Sequence, residues 1–228
     1  MPRTYEYDAV VVGAGHAGAE AGLALARLGH RVLVVTLNLD NVALLPCNPS
    51  IGGSGKATLV REIDALGGEM GRNCDATLMQ MRLLNTRRGP AVQSLRCQLD
   101  RKLYQRRMKY VLETTPGLDL KEGQATDLLV ENGEVQGVVL RGGMKVYAPA
   151  VILATGTYLR SVIHIGELNY VSGPQGQHTA VEPAEWVQEW LPVVRVKTGT
   201  PPRVNLRSID FSRPDKVPGA AALPGFPV

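Results

Sequence analysis

Six residues near the start of the chain, Tyr7 to Val12 (Y-D-A-V-V-V), form an apolar, β-branched run that ends on a glycine, as a strand buried in a parallel sheet does. His16 to Leu28 is rich in Ala and Leu, favours a helix and stops at Gly29. Arg31 to Thr36 (R-V-L-V-V-T) predicts a second strand, so the chain opens with one βαβ unit. From Asn38 to Gly55 neither the helical nor the strand period is present, and Pro46, Pro49, Gly52, Gly53 and Gly55 predict a long ordered loop beside a ligand. Lys56 to Leu66 and Ala76 to Leu84 read as short helices, and Ser94 to Leu112 as a longer one closed by Pro116 and Gly117. On that longer helix Arg101, Lys102 and Lys109 share a polar face with Gln98 and Gln105, while Leu95, Leu99, Leu103 and Tyr110 gather elsewhere. Leu118 to Gln124, Ala125 to Glu131 and Glu134 to Arg141, with Asn132-Gly133 as a hairpin turn, predict a small β-meander continued by Lys145 to Ala148. Val151 to Gly156 (V-I-L-A-T-G) predicts another buried strand ending on a glycine, and beyond Ser172 the chain becomes rich in Pro and Gly.

Composition narrows the class. With 228 residues, 44% of them hydrophobic, the chain can bury a real core. No apolar run approaches the roughly 18 residues of a membrane span, and the N-terminus lacks a secretory signal's apolar stretch, so no membrane association and a cytoplasmic location are expected. Cys47, Cys74 and Cys97 have neither paired spacing nor a histidine at metal-ligand distance, which argues against a disulfide framework and a metal site. The net charge of +4 is unevenly placed: between Arg82 and Lys109 nine Lys or Arg stand against Asp100 alone. Such a concentration fits a surface facing a polyanion or a solvated helix face.

The sharpest chemistry lies in G-A-G-H-A-G, comprising Gly13, Ala14, Gly15, His16, Ala17 and Gly18, between a predicted strand and a predicted helix. In that context Gly13 permits the tight turn, Gly15 lets the backbone approach phosphates, and Gly18 lets helix and strand pack closely. The helix N-terminus offers free amides and partial positive charge to a dinucleotide pyrophosphate. Units of this kind usually carry an acid at the end of the second strand to hold ribose hydroxyls; here that position is Thr36.

The loop L-P-C-N-P-S-I-G-G-S-G-K (Leu45 to Lys56), D-A-L-G-G (Asp64 to Gly68), L-N-T-R-R-G-P-A-V-Q-S-L-R (Leu84 to Arg96), I-H-I-G (Ile163 to Gly166) and K-T-G-T-P-P-R (Lys197 to Arg203) occur in order, and with them the chain closely resembles the GidA/MnmG family. The resemblance implies a homodimeric FAD enzyme that works with the GTPase MnmE on the wobble uridine of certain tRNAs. That enzyme adds an aminomethyl or carboxymethylaminomethyl group at carbon 5, with methylenetetrahydrofolate as one-carbon donor and NADH as reductant. The glycine loop would then hold FAD, with Cys47, Asn48, Gly52 and Gly53 beside its ring system and Ala125 at the adenine end. Thr155 and Gly156, in the A-T-G strand end, resemble those of two-dinucleotide-binding flavoproteins. Lys197, Thr198 and Arg203 would line the substrate side. Cys47 becomes the candidate nucleophile or acid toward an activated uracil, whereas Cys74 and Cys97 read as packing residues.

The expected fold class is α/β: a Rossmann-like FAD/NAD(P)-binding sheet with helices on both faces, a β-meander over about 118–148, and the start of an inserted second domain. Residues 1–160 form the first domain and 161–228 the second in this reading. The family's chain is more than twice as long, so the resemblance implies a shortened form, one product of a split gene or a degenerate relative, which by itself is not self-sufficient. Near Ser172 the sequence departs from the family, with Pro174 in place of arginine and Ala180 in place of serine. Two other readings stay open: a relative of the folate- and FAD-dependent tRNA uridine methyltransferase, and a non-catalytic flavin-binding or interaction module.

Overall fold

The computed structural model describes residues 5–199 and 204–212. The first apolar run forms β1 (Ala9–Val12), buried throughout, and the Ala-rich stretch forms α1 (His16–Arg27). The helix buries a stripe of mostly small residues, Gly18, Ala19, Gly22, Leu23 and Ala26, and the chain reverses at Gly29 with φ of 89°. β2 (Val32–Thr36) is again fully buried. After it come β3 (Ser50–Gly52), α2 (Lys56–Ala65), α3 (Met70–Ala76), β4 (Leu78–Leu84), β5 (Ser94–Leu99) and α4 (Arg101–Thr114). The remainder comprises β6 (Leu118–Glu122), β7 (Ala125–Glu131), β8 (Glu134–Leu140), β9 (Lys145–Tyr147), β10 (Ala150–Leu153), β11 (Val162–Ile165), β12 (Leu168–Val171) and α5 (Glu182–Trp190).

The chain forms two compact units. One takes the chain up to Leu44 and again from Gln105 to Arg195; the other takes Leu45 to Tyr104 and the described residues from Val196 onward. These bounds differ from the division at residue 160 expected from sequence, because the segment after Gly156 returns to the first unit: Leu159 bridges Ala180, and α5 packs on β7.

The first unit is built on a parallel sheet in the order β10-β1-β2-β6. α1 lies over one face, so close that a Cβ on Gly22 would stand 2.7 Å from Val34 Cγ2 and 3.3 Å from Leu118 Cδ1. On the other face Val10, Val12, Leu33 and Val35 pack with Ala125, Val138, Leu140, Val146 and Ala148 of the β7-β8-β9 meander and the residue after it. The α/β class is as expected, with the meander rather than a second helical layer covering that face. Leu118 to Gln124 was expected within the meander; its strand β6 instead pairs in parallel with β2, from Val32↔Leu118 to Thr36↔Glu122.

The second unit carries the antiparallel sheet β3-β5-β4, with α2 on β3 and β5. Three sequence expectations change here. The loop from Asn38 to Gly55 contains a 3-10 turn (Leu39–Asn41) and β3. The helix expected over Ala76 to Leu84 is strand β4, preceded by α3. The helix expected from Ser94 is β5 up to Leu99; Asp100 then accepts from the Leu103 amide at 2.9 Å and starts α4. The strand pairing wins because Leu95, Cys97 and Leu99 alternate with Ser94, Arg96 and Gln98 and bury one face of a sheet.

Candidate functional site

The order of the parallel sheet fixes where a ligand would lie. The chain steps from β1 to β2 on one side and returns to β10 on the other, so the strand order reverses between β1 and β10, and the crevice opens beyond their carboxyl ends. Both expected glycine segments converge there. The Ala154 amide donates to the Val12 carbonyl at 2.8 Å, and the Gly13 amide donates to the Val35 carbonyl at 2.7 Å. Gly13 has φ of 110°, and a Cβ on it would run into the Ala154 carbonyl, 2.9 Å from its carbon. A Cβ on Gly18 would overlap the Gly13 carbonyl and stand 3.3 Å from Ala154 Cβ. Gly15, the N-cap of α1, faces open space: a Cβ there would meet nothing within 4 Å. Two of the three glycines thus serve packing, and the third leaves room at the helix N-terminus, where the first-turn amides lack intrahelical acceptors. Ala14 is buried, His16 half-buried and Ala17 exposed.

Thr36 ends β2 at the same edge, buried, with its hydroxyl 3.5 Å from the Asn38 carbonyl. The Gly123 amide donates to the Thr36 carbonyl at 2.8 Å, which brings the start of β7, Ala125, to this edge with its side chain in the core. Thr155 is half-buried and Gly156 exposed just past β10. Gly13 to Gly18, Thr36, Thr155 and Gly156 therefore all lie at the carboxyl edge of one sheet, and Ala125 opens the meander beside it. These residues fit a dinucleotide: glycine backbone at the crevice, an open position at Gly15, and a helix N-terminus aimed there.

Two features of this edge escaped the sequence reading. Glu122, the register partner of Thr36, places a carboxylate one strand over from the expected acid, where it accepts from the Leu39 amide at 3.0 Å. Only its strand-end position could have marked it. Ala43, at φ of 48°, donates its amide to the Ala14 carbonyl at 2.8 Å and so ties the following loop to the glycine turn. Nothing local in the sequence signals that contact.

Cys47, Asn48, Gly52 and Gly53 lie in the second unit, the first two half-buried. Gly52 and Gly53 take φ of 114° and 98°, and the Gly53 amide donates to the Leu95 carbonyl at 2.8 Å. A Cβ on Gly52 would strike that same carbonyl, so β3 and β5 approach at a distance only glycine allows. Cys47 is the one cysteine that is not buried. Burial, then the nearby Asp75, pushes the Cys97 thiol up to about 12, and burial pushes Cys74 up as well, next to Cys97 and Asp75. Both remain protonated at neutral pH.

On α4 the expected polar face does not hold. Tyr104, Gln105, Met108 and Leu112 are the buried positions, whereas Leu103 and Tyr110 are exposed. Gln98 lies on β5, and Gln105 Nε2 donates to the Asp40 carbonyl at 3.3 Å. Lys109 is half-buried, with Nζ 3.6 Å from Asp40 and 3.9 Å from Glu113. Lys102 is exposed and Arg101 half-buried. Lys197 and Thr198 are exposed, and Arg203 lies outside the described residues. Among the described residues no group of three acidic, His or Cys side chains could hold a metal ion, and no helix is long and apolar enough to cross a membrane.

Comparison with known proteins agrees with this geometry. The family described as glucose inhibited division protein A matches residues 8–226. The tRNA uridine 5-carboxymethylaminomethyl modification enzyme MnmG of Geobacillus thermodenitrificans is 54% identical over 214 residues, 93% of this chain and 34% of the relative. MnmG of Bacillus velezensis is likewise 54% identical, over 215 residues. Aquifex aeolicus GidA superposes with a TM-score of 0.91 at 44% identity, covering 97% of this chain and 37% of that one. The GidA-related protein of Thermus thermophilus shares the fold at a TM-score of 0.59 and 24% identity. The chain spans about a third of the length of the curated relatives it matches. It belongs to the GidA family.

Proposed function

We propose that this chain forms the FAD-binding part of a tRNA wobble-uridine modifying enzyme. That enzyme adds an aminomethyl or carboxymethylaminomethyl group at carbon 5 of uridine, with methylenetetrahydrofolate and NADH as co-substrates. The observation that carries the reading is the β1/β10 crevice, where Gly13 and Gly18 are spent on packing and Gly15 alone stays open at a helix N-terminus. The first-turn amides of α1 hold the pyrophosphate, the backbone at Ala125 meets the adenine, and Thr36 and Glu122 stand at the ribose edge. FAD supplies the redox step of the one-carbon transfer. Gly53, where a Cβ would meet nothing within 4 Å, leaves room for a flat ring, and Cys47 acts as nucleophile or acid toward the activated uracil. Lys197, Thr198 and Arg203 face the tRNA. The partners in this reading are tRNA, an MnmE-type GTPase and a second copy of the enzyme, in the cytoplasm.

The test is a visible spectrum of the purified protein before and after incubation with FAD and desalting, followed by nucleoside analysis of tRNA incubated with the co-substrates. A retained flavin band with modified uridine supports the reading. Retained flavin with 5-methyluridine as product points to methyltransferase chemistry, and retained flavin with no product to a binding module. A protein that never retains FAD refutes the cofactor assignment.

A further inference from the structure

The sheet of the second unit has two unlike faces. Ile51, Met81, Leu95, Cys97 and Leu99 are buried on one. By the alternation of strands the other face presents Ser50, Arg82, Ser94, Arg96 and Gln98. Arg82 and Arg96 are direct cross-strand partners, and the third residue of that row is Gly52, which has no side chain. Two like charges placed directly opposite each other destabilise a sheet. Neither is neutralised: among the described residues no carboxylate pairs with them, and Arg96 reaches only Ser50 Oγ, at 3.5 Å. Ser94, one step along the same face, is 93% buried with its hydroxyl unpartnered.

The hairpin joining the two strands adds to this charge and holds it in place. Asn85, at φ of 59°, donates its side-chain amide to the Val92 carbonyl at 2.8 Å, and Gln93 Nε2 donates to the Arg88 carbonyl at 3.0 Å. Those bonds brace a loop on which Arg87 and Arg88 are exposed and free of carboxylates among the described residues. From Leu78 to Leu99 there are four arginines and no acid.

We propose that the β4–β5 hairpin, through Arg82, Arg87, Arg88 and Arg96, binds the phosphates of the RNA substrate. The inference rests on the tRNA reading above and moves its electrostatic surface away from α4, where Lys109 is already engaged by Asp40 and Glu113. Guanidinium groups on a braced hairpin suit phosphate recognition because each offers a planar fork of donors and gives up little freedom on binding.

The experiment is the salt dependence of binding to a fluorescent anticodon stem-loop RNA, read by anisotropy. Each phosphate contact contributes about 0.7 to 0.9 to the slope of log K against log salt. The double variant R87Q/R88Q should lower that slope by about 1.5, R82Q/R96Q should lower it comparably, and Lys145→Gln, on β9, should leave it unchanged. Because R87Q/R88Q alters only exposed side chains, an unchanged thermal midpoint keeps its result interpretable even if R82Q/R96Q folds poorly. RNA binding with a wild-type slope in the R87Q/R88Q variant overturns the hairpin assignment and leaves the tRNA reading standing. A wild-type protein that binds no RNA at low salt overturns both.

Discussion

Gly15→Ala at the N-cap of α1 and Gly18→Ala in its first turn, three residues apart, should fail in opposite ways. At Gly18 the new methyl would overlap the Gly13 carbonyl and lie 2.9 Å from its carbon, against 3.4–4 Å for ordinary contact. The obstacle is backbone and cannot rotate aside, so the helix must lift from β1. Overpacking of this kind costs about 1–3 kcal/mol or more, and the rigidity of the partner places this case near the top, at about 3 kcal/mol. With a urea m-value of about 2 kcal/mol/M, the midpoint should fall by about 1.5 M. Gly15 has φ of −69° and open space around its Cβ, so Ala there costs only the weaker N-cap, under about 1 kcal/mol. The same methyl fills the approach to the pyrophosphate and should abolish retention of FAD. Urea melts followed by circular dichroism, paired with flavin absorption after desalting, measure both effects. A Gly15→Ala protein that keeps its flavin, or a Gly18→Ala protein as stable as Gly15→Ala, would refute the division of labour between packing and binding.

Two further outcomes follow from ionisable groups. Burial, and then the hydrogen bond to Asp119 at 2.8 Å, pushes the Tyr7 phenol up to about 12 from 10.0. Its neutral form is favoured in the folded state, so its contribution to stability is complete below pH 10 and is lost as the pH rises toward 12. Tyr7→Phe should flatten the decline in melting temperature over that interval, and an identical decline in both proteins would count against the assignment. Of the three thiols, only Cys47 should react with a small alkylating agent at pH 8 in the folded protein, with all three reacting in denaturant. Rapid native modification of Cys74 or Cys97, located by mass spectrometry, would contradict their burial.

The βαβ opening was legible because Tyr7–Val12, His16–Leu28 and Arg31–Thr36 each agree in propensity, period and punctuation. The glycine loop was legible because its setting between strand and helix is local. Leu78–Leu84 was misread because Leu, Met and Gln favour helices on their own, and only pairing with β5, down to Leu84↔Ser94, makes the segment a strand. For Ser94–Leu99 the period-two alternation was present, but it runs into α4 across the single residue Asp100, and the helical signal absorbed it. The phase of the basic face went wrong with it, since Tyr104 and Gln105 could be recognised as buried only once the helix start was known. Glu122 stayed hidden because an acid is sought at the end of β2, whereas this carboxylate ends the neighbouring strand β6.

The sheet order also bears on how the chain is made. β1 pairs with β2 across a short helical connection, but its other edge is closed only by β10, where Ala9 meets Ala150. At a synthesis rate of about 5–20 residues per second, that partner arrives roughly 7–28 s after β1. Until then a four-residue apolar strand presents a bare hydrogen-bonding edge, the kind of surface that pairs with the wrong chain. The central strand of the candidate site is therefore a segment that depends on protection during synthesis, and a nascent chain stalled before Ala150 should be more prone to aggregate than the finished chain.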